Sequence, residues 1–203
     1  MAIFVKICGL STAETVEAAA TAGVDAIGFV FAESPRRVSV DEAIELARRL
    51  PPDIVRVAVM CHPTQTEWTE VADGLNPDWL QTDAADFGKL EIGSEVGRLP
   101  VYRDASDLDT VAVAQQQRIL FEAPTSGQGQ KADWDRARDL AAKTQLVLAG
   151  GLDPDNVESA VAQVRPWGVD VSSGVEHSRG RKDPERIRAF IEAVRRTELS
   201  DAV

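Results

Sequence analysis

Ile3-Phe4-Val5-Lys6-Ile7-Cys8-Gly9 opens the chain with a strand of divided character. Successive strand side chains point to opposite faces, so Ile3, Val5 and Ile7 share one face and Lys6 and Cys8 the other. Near the far end, Val169-Asp170-Val171-Ser172 repeats the division, with the valines on one face and Asp170 and Ser172 on the other. An open parallel sheet covered by helices on both sides needs apolar residues on both faces. A closed barrel needs them on the outside, under its helices, and accommodates polar groups inside near its C-terminal mouth. The expected fold is therefore α/β, a single (βα)8 TIM barrel, with Asp170 a structural partner for Lys6 across the barrel.

Outward from these two strands, short apolar runs alternate with capped amphipathic segments. Six further strands are expected at Ala26–Phe31, Ile54–Met60, Trp79–Gln81, Pro100–Arg103, Arg118–Phe121 and Leu146–Ala149. Capping boxes at Ser11-Thr12-Ala13-Glu14, Ser39-Val40-Asp41-Glu42 and Thr64-Gln65-Thr66-Glu67 predict helix starts. Gly23 predicts a stop, and Gly74 marks the close of the third helix. Asp153-Pro154 and Asp183-Pro184 each place an N-cap before a first-turn proline. Residues 84–97 carry the weakest helical signal, interrupted by Gly88 and Gly93. Gly-Val-Asp recurs before the second and eighth strands, at Gly23-Val24-Asp25 and Gly168-Val169-Asp170, consistent with repeated βα units. With no linker or low-complexity stretch, one domain over residues 1–203 is expected, ending in a tail from about 198.

Charge narrows the partners. The net charge of −11, from 22 Lys and Arg against 33 Asp and Glu, argues against nucleic acid and requires any anion to be held by a local site. No apolar run reaches the length of a membrane span. Cys8 and Cys61 have no paired spacing and read as reduced thiols, which with the absence of a signal-like start suggests the cytoplasm. Cys61 reads as core, because adjacent Cys61 and His62 would point to opposite faces of a strand. Two isolated histidines, His62 and His177, make a poor zinc set, so no metal and no cofactor are expected. The four tryptophans read as packing between strands and helices. Oligomeric state stays open between monomer and homodimer.

The chemistry-bearing residues collect at strand ends. Gly150-Gly151 follows the seventh strand and Ser172-Ser173-Gly174 the eighth, where barrel enzymes often seat a phosphate on backbone N–H groups. Cys8 shares a face with Lys6, whose ammonium lowers a thiol's pKa, so base or nucleophile stands beside a plain buried thiol as its reading. Arg36, in Ser34-Pro35-Arg36-Arg37, suits bidentate grip of a carboxylate and equally a solvated surface pair. Glu122, Asp83 near Gln81, and Asp170 are carboxyls at strand ends with either acid/base or structural roles.

Lys6-Ile7-Cys8-Gly9, Gly28-Phe29-Val30-Phe31 with Ser34-Pro35-Arg36, Leu148-Ala149-Gly150-Gly151-Leu152 with Asp155-Asn156-Val157, and Gly168-Val169-Asp170-Val171-Ser172-Ser173-Gly174-Val175-Glu176 together resemble the phosphoribosylanthranilate isomerase family, from residue 3 to about 195. The resemblance implies a cofactor-free Amadori rearrangement of N-(5-phosphoribosyl)anthranilate in tryptophan biosynthesis. It implies Cys8 as general base, Arg36 as clamp on the anthranilate carboxylate, and the two glycine loops, Gly150, Gly151, Ser173 and Gly174, as the phosphate site. Lys6, Gln81, Asp83 and Asp170 line the substrate pocket on this reading. The chain departs from the family at three strand ends. Glu122 stands where the family has Asp as general acid, before a loop reading Ser126-Gly127-Gln128-Gly129. Met60-Cys61-His62 replaces Phe-Val-Asn, and Gln81-Thr82-Asp83 replaces Gln-Leu-His. Glu122 is the expected acid, with Asp83 the fallback. The altered mouth keeps open a second reading, a phosphosugar-binding barrel with weakened catalysis. A third is an epimerase or aldolase, for which Lys6 is the inward Schiff-base candidate.

Overall fold

A computed structural model describes residues 2–124 and 131–200. Eight parallel strands close into a barrel in sequence order. They are β1 (Phe4–Cys8), β2 (Ala26–Val30), β3 (Val55–Val59), β4 (Trp79–Asp83), β5 (Gly97–Arg103), β6 (Arg118–Glu122), β7 (Gln145–Leu148) and β8 (Gly168–Val171). The helices between them are α1 (Ala13–Thr21), α2 (Val40–Ala47), α3 (Gln65–Leu75), α4 (Thr110–Val113), α5 (Trp134–Ala141) and α6 (Val157–Val164). After β8 comes a small antiparallel hairpin, β9 (Glu176–Ser178) with β10 (Arg181–Lys182), and then α7 (Pro184–Ser200). The hairpin was not anticipated. Helix α7 continues past the residue where a tail is expected, and Glu198 within it accepts the Ile3 N–H at 2.7 Å. The segment Ser126-Gly127-Gln128-Gly129 lies outside the described residues.

Closure rests on β1 and β8, which pair with Lys6 opposite Asp170. Outward-facing Val5, Ile7, Val169 and Val171 join the large apolar cluster under α1, α6 and α7. Inward-facing Leu99, Val101, Leu120, Val147 and Ala149 fill the barrel interior on the other side. The interior is thus split, with a polar wall at β8 and β1 and an apolar wall at β5 to β7.

The N-terminal end of the barrel is plugged by aromatic rings. Phe4 stacks on Trp167 at 4.6 Å and on Trp79 at 5.3 Å, and the Arg118 guanidinium lies over both indoles at 4.2 and 4.7 Å. Trp79 and Trp167 therefore sit at the base of the barrel, not between strands and helices. Trp68, on α3, does pack between its helix and the strands, clustered with Ala58, Met60 and Leu80, with its indole N–H donating to the Glu91 carbonyl. A cavity of about 610 Å³ opens at this same N-terminal end, bordered by Ile3, Lys143, Gln145, Arg165 and Trp167, and none of the candidate site residues line it.

Two of the three expected capping boxes form. Ser39 and Glu42, and Thr64 and Glu67, exchange reciprocal bonds of 2.7 and 3.2 Å. At α1 the cap is Thr12, whose hydroxyl accepts the Thr15 N–H at 3.3 Å, so the helix starts one residue later than Ser11 predicts. Helix α3 ends at Leu75, beside Gly74 as expected, with Asn76 closing it in the left-handed region at φ 48°. Asp183 caps α7 as expected, but Asp153 caps only a turn, and α6 begins at Val157. Residues 84–97 form one 3-10 turn, Ala84–Asp86, and no α-helix. Among the described residues, no helix is long and apolar enough to cross a membrane.

Removing the base plug exposes apolar surface and unstacks Arg118. Trp167→Ala should lower unfolding free energy by about 3 kcal/mol, the low end for truncating a large aromatic. A reduced urea midpoint at unchanged m reads this out. A loss under about 1 kcal/mol would contradict the packing described.

Candidate active site

The C-terminal ends of the strands bring the expected residues into one mouth. Lys6 is fully buried, and its Nζ donates to Asp170 Oδ1 at 2.8 Å while also contacting the Cys8 thiol. The partners lie on adjacent strands, so the pair closes the β8–β1 seam and does not span the barrel. Burial works most strongly against the ammonium, but Asp170 and Cys8 together outweigh it and raise the Lys6 pKa. Burial pushes the Cys8 thiol up from its ordinary 9.0; Lys6 pulls it down, Asp170 raises it further, and Lys182 lowers it, leaving a net rise. The thiol beside Lys6 is therefore raised and not lowered, chiefly because its burial outweighs the pull of Lys6, with the Asp170 charge adding to the rise.

Arg36 reaches the same mouth from the loop after β2. Gly9 makes this possible, since it sits at φ 78° and a Cβ there would lie 2.7 Å from Arg36 Cδ. The guanidinium is locked from behind by Glu176, with Nε–Oε1 at 2.6 Å and Nη2–Oε2 at 3.0 Å. Arg36 is therefore a buried, paired residue and not a solvated surface one. Glu176 also accepts Lys182 Nζ at 2.9 Å and the Gly180 N–H at 3.0 Å. Lys182 goes on to bond the Ser172 carbonyl and hydroxyl, and the Ser172 hydroxyl donates to the Cys8 carbonyl at 3.1 Å. One chain of contacts thus joins Arg36 to the backbone of Cys8. Burial opposes the Glu176 charge, but Arg36, Lys182 and the Gly180 N–H prevail and hold its pKa down at about 2. Burial lowers the Lys182 pKa against the pull of Glu176. Glu176 was quoted only within a motif, and Lys182 was missed altogether. The one signal for Lys182 is the hairpin turn at Arg179-Gly180, which returns the chain to the mouth.

The two glycine loops touch. Gly150 and Gly151 adopt left-handed φ of 87° and 65°. A Cβ on Gly174 would fall 1.9 Å from the Leu152 carbonyl oxygen, so only glycine lets the loop after β8 lie against the loop after β7. Asn156 donates to the Gly151 carbonyl at 2.8 Å and Arg186 to the Gly174 carbonyl at 3.0 Å, fixing both loops. Ser173 begins the 3-10 turn Ser173–Val175 between them.

On the far wall stand Gln81, Asp83 and Glu122. Gln81 is buried, and its Oε1 has no hydrogen-bond partner among the described residues. Asp83 and Glu122, the two candidate acids, share one cation: Arg103 Nη1 lies 2.5 Å from Asp83, and Arg103 Nε lies 3.5 Å from Glu122. Arg103 was read only as the end of a strand. Cys61, expected in the core, is exposed on the rim beside His62.

A family model described as N-(5'phosphoribosyl)anthranilate (PRA) isomerase matches residues 5–193. The chain belongs to this family. It is 42% identical over 194 residues to N-(5'-phosphoribosyl)anthranilate isomerase of Streptococcus pneumoniae strain Taiwan19F-14, covering 94% of this chain and 95% of that one. Its barrel is similar to the solved phosphoribosyl anthranilate isomerase of Thermotoga maritima, with a TM-score of 0.82, 30% identity, and coverage of 95% and 98%. A second solved isomerase, in complex with reduced 1-(o-carboxyphenylamino)-1-deoxyribulose 5-phosphate, matches with a TM-score of 0.78 at 29% identity, covering 95% of this chain and 98% of that one. The barrel fold expected from the divided strands is the family's fold.

The Arg36–Glu176–Lys182 clasp has a pH signature. Glu176 stays ionised in the fold down to about pH 2, whereas unfolded it protonates near its ordinary 4.5. Its stabilising contribution is complete above the unfolded value and disappears as pH falls toward the folded one. Urea unfolding of the wild type should therefore lose stability between pH 4.5 and about 2, and Glu176→Gln should flatten that slope. Equal slopes in both proteins would show that the clasp carries no linked proton.

Proposed function

We propose that Cys8 and Glu122 act as general base and general acid in the reaction of this family, the isomerisation of N-(5-phosphoribosyl)anthranilate to 1-(2-carboxyphenylamino)-1-deoxyribulose 5-phosphate in tryptophan biosynthesis. The observation that carries the reading is the placement of Cys8 at the end of β1 and Glu122 at the end of β6, both on the inner face of one mouth. The glycine loops after β7 and β8 offer backbone N–H groups for the phosphate. The Nη1 edge of Arg36, left open by its pairing to Glu176, meets the anthranilate carboxylate. Gln81 Oε1 offers an acceptor on the far wall, and Lys6 and Asp170 form the floor beneath the sugar.

The proton traffic balances without an outside reagent. Glu122 gives its proton to the ribose ring oxygen as the C1–O bond breaks, and the anilino nitrogen lone pair closes the C1=N bond. Cys8 then takes the C2 proton, the C–H electrons form C1=C2, and the C1=N bond returns its pair to nitrogen. The enolamine tautomerises to the ketone, with the C2 hydroxyl losing a proton and C1 gaining one. The productive state pairs a protonated Glu122 with a Cys8 thiolate. Burial raises the Cys8 thiol above its ordinary 9.0, so at neutral pH the thiolate is the minority form of that sulfur. Lys6, in contact with the sulfur, stabilises the thiolate when it forms.

Arg103 holds the two candidate acids together on the far wall. Its Nη1 lies 2.5 Å from Asp83 and its Nε 3.5 Å from Glu122, so one guanidinium joins the two carboxyls. The extra methylene of Glu122 extends its carboxyl further from β6 into the mouth.

Turnover is read from loss of the fluorescence of the anthranilate adduct. Cys8→Ala and Glu122→Gln should each lower kcat by about 10²–10⁴-fold, the usual worth of a general acid or base. Wild-type protein without turnover, or turnover unchanged in both variants, contradicts the proposal and leaves phosphosugar binding as the better account.

A further inference from the structure

Cys61, His62 and Asp83 form a second cluster on the rim of the mouth, at the ends of β3 and β4. One donor atom from each, a sulfur, an imidazole nitrogen and a carboxylate oxygen, all lie within 4.8 Å of one another. Adjacent residues of a strand would diverge, but His62 has left the strand. Its backbone turns into the left-handed region at φ 49°, which brings its ring to the same side as Cys61.

The imidazole is already aimed. Its Nδ1 lies 3.2 Å from both oxygens of Asp86, which also accepts the His62 N–H at 3.2 Å and the Thr82 hydroxyl at 2.8 Å. A carboxylate on one ring nitrogen fixes tautomer and orientation, and presents the other nitrogen as a ligand with raised basicity. That other nitrogen, Nε2, faces Asp83 Oδ2 at 3.1 Å. Around tetrahedral zinc, with bonds to N and O of about 2.1 Å, two such ligands stand roughly 3.4 Å apart. Entry of an ion therefore needs only a small parting of the two side chains. Asp83 uses Oδ1 for Arg103, so Oδ2 is the oxygen left for a metal.

We propose that Cys61, His62 and Asp83 bind a divalent cation of the zinc class as thiolate, imidazole and carboxylate, with a fourth position open to water. The thiol proton leaves to solvent on binding. The mixed sulfur, nitrogen and oxygen set selects Zn²⁺ or Co²⁺ over Mg²⁺ and Ca²⁺, which prefer oxygen alone. Two of the three ligands, Cys61 and His62, are exposed, so the site is reachable without opening the fold.

Cobalt is the probe that reports its own ligands. Untagged, reduced protein titrated with Co²⁺ should develop, at one equivalent, visible bands of a tetrahedral ion and a near-ultraviolet sulfur-to-cobalt charge-transfer band. Zn²⁺ should then displace the cobalt and bleach both. Cys61→Ser should abolish the charge-transfer band, while Cys8→Ser, which removes the chain's other thiol, should leave it. His62→Asn keeps a residue tolerant of the left-handed backbone and should weaken cobalt binding at least about tenfold. Asp86→Asn should weaken it about 10–100-fold without removing the sulfur band. A wild type without the band overturns the proposal. So does a band that survives Cys61→Ser or disappears in Cys8→Ser, or an affinity unchanged by both His62→Asn and Asp86→Asn. None of these readings depends on isomerase turnover.

Discussion

A single buried ion pair, Lys6 with Asp170, governs the arrangement. Two charges removed from water are tolerated only when matched closely, and removing one partner from such a pair costs about 3–5 kcal/mol. Their 2.8 Å contact fixes the register of β1 against β8 and therefore closes the barrel. It also sets the chemistry of the next inward residue. Burial keeps the Cys8 sulfur a thiol despite the touching Lys6 ammonium, which Asp170 already partners. An ammonium at the sulfur then favours thiolate at the moment a proton is taken. The polar wall that decides between open sheet and barrel is also the wall that carries the proposed base.

The clasp running from Arg36 through Glu176 and Lys182 to Ser172 extends this seam outward. It ties the loop after β2, the hairpin after β8, and the carbonyl of Cys8 into one network. Its effect is preorganisation. The open edge of Arg36, the proposed carboxylate clamp, is held relative to Cys8, the proposed base, by hydrogen bonds within the chain. Gly9 and Gly174 serve the same end by permitting close approach, one beneath Arg36 and the other between the loops after β7 and β8.

Much of this was legible because it is periodic or local. Alternation in Ile3–Cys8 and Val169–Ser172 revealed which side chains face in, and Ser39 and Thr64 marked their helices by reciprocal bonds within four residues. The failures have equally physical causes. At Ser11 the next residue, Thr12, offers an equivalent hydroxyl one step along and takes the cap. The role of Lys182 depends on a hairpin whose contacts reach back to β2 and β8, and no local pattern encodes that. Cys61 is exposed and not core because β3 ends at Val59, so strand alternation no longer governs Cys61 and His62. Trp79 and Trp167 pack on each other only once the barrel is closed, so their place at its base follows from topology and not from spacing.

The three strand ends that depart from the family's pattern turn out to be neighbours. His62 contacts Asp83, and Arg103 joins Asp83 to Glu122, so the changes form one connected rim opposite the Lys6–Cys8 wall. Whether that rim presents its acid to the sugar is settled most directly by a crystal structure with reduced 1-(o-carboxyphenylamino)-1-deoxyribulose 5-phosphate bound. The account predicts the phosphate on the loops after β7 and β8, the Cys8 sulfur within about 4 Å of the sugar C2, and the Glu122 carboxyl in hydrogen-bond reach of a sugar oxygen. A ligand that leaves Glu122 turned away, with the sulfur out of contact with C2, would contradict it.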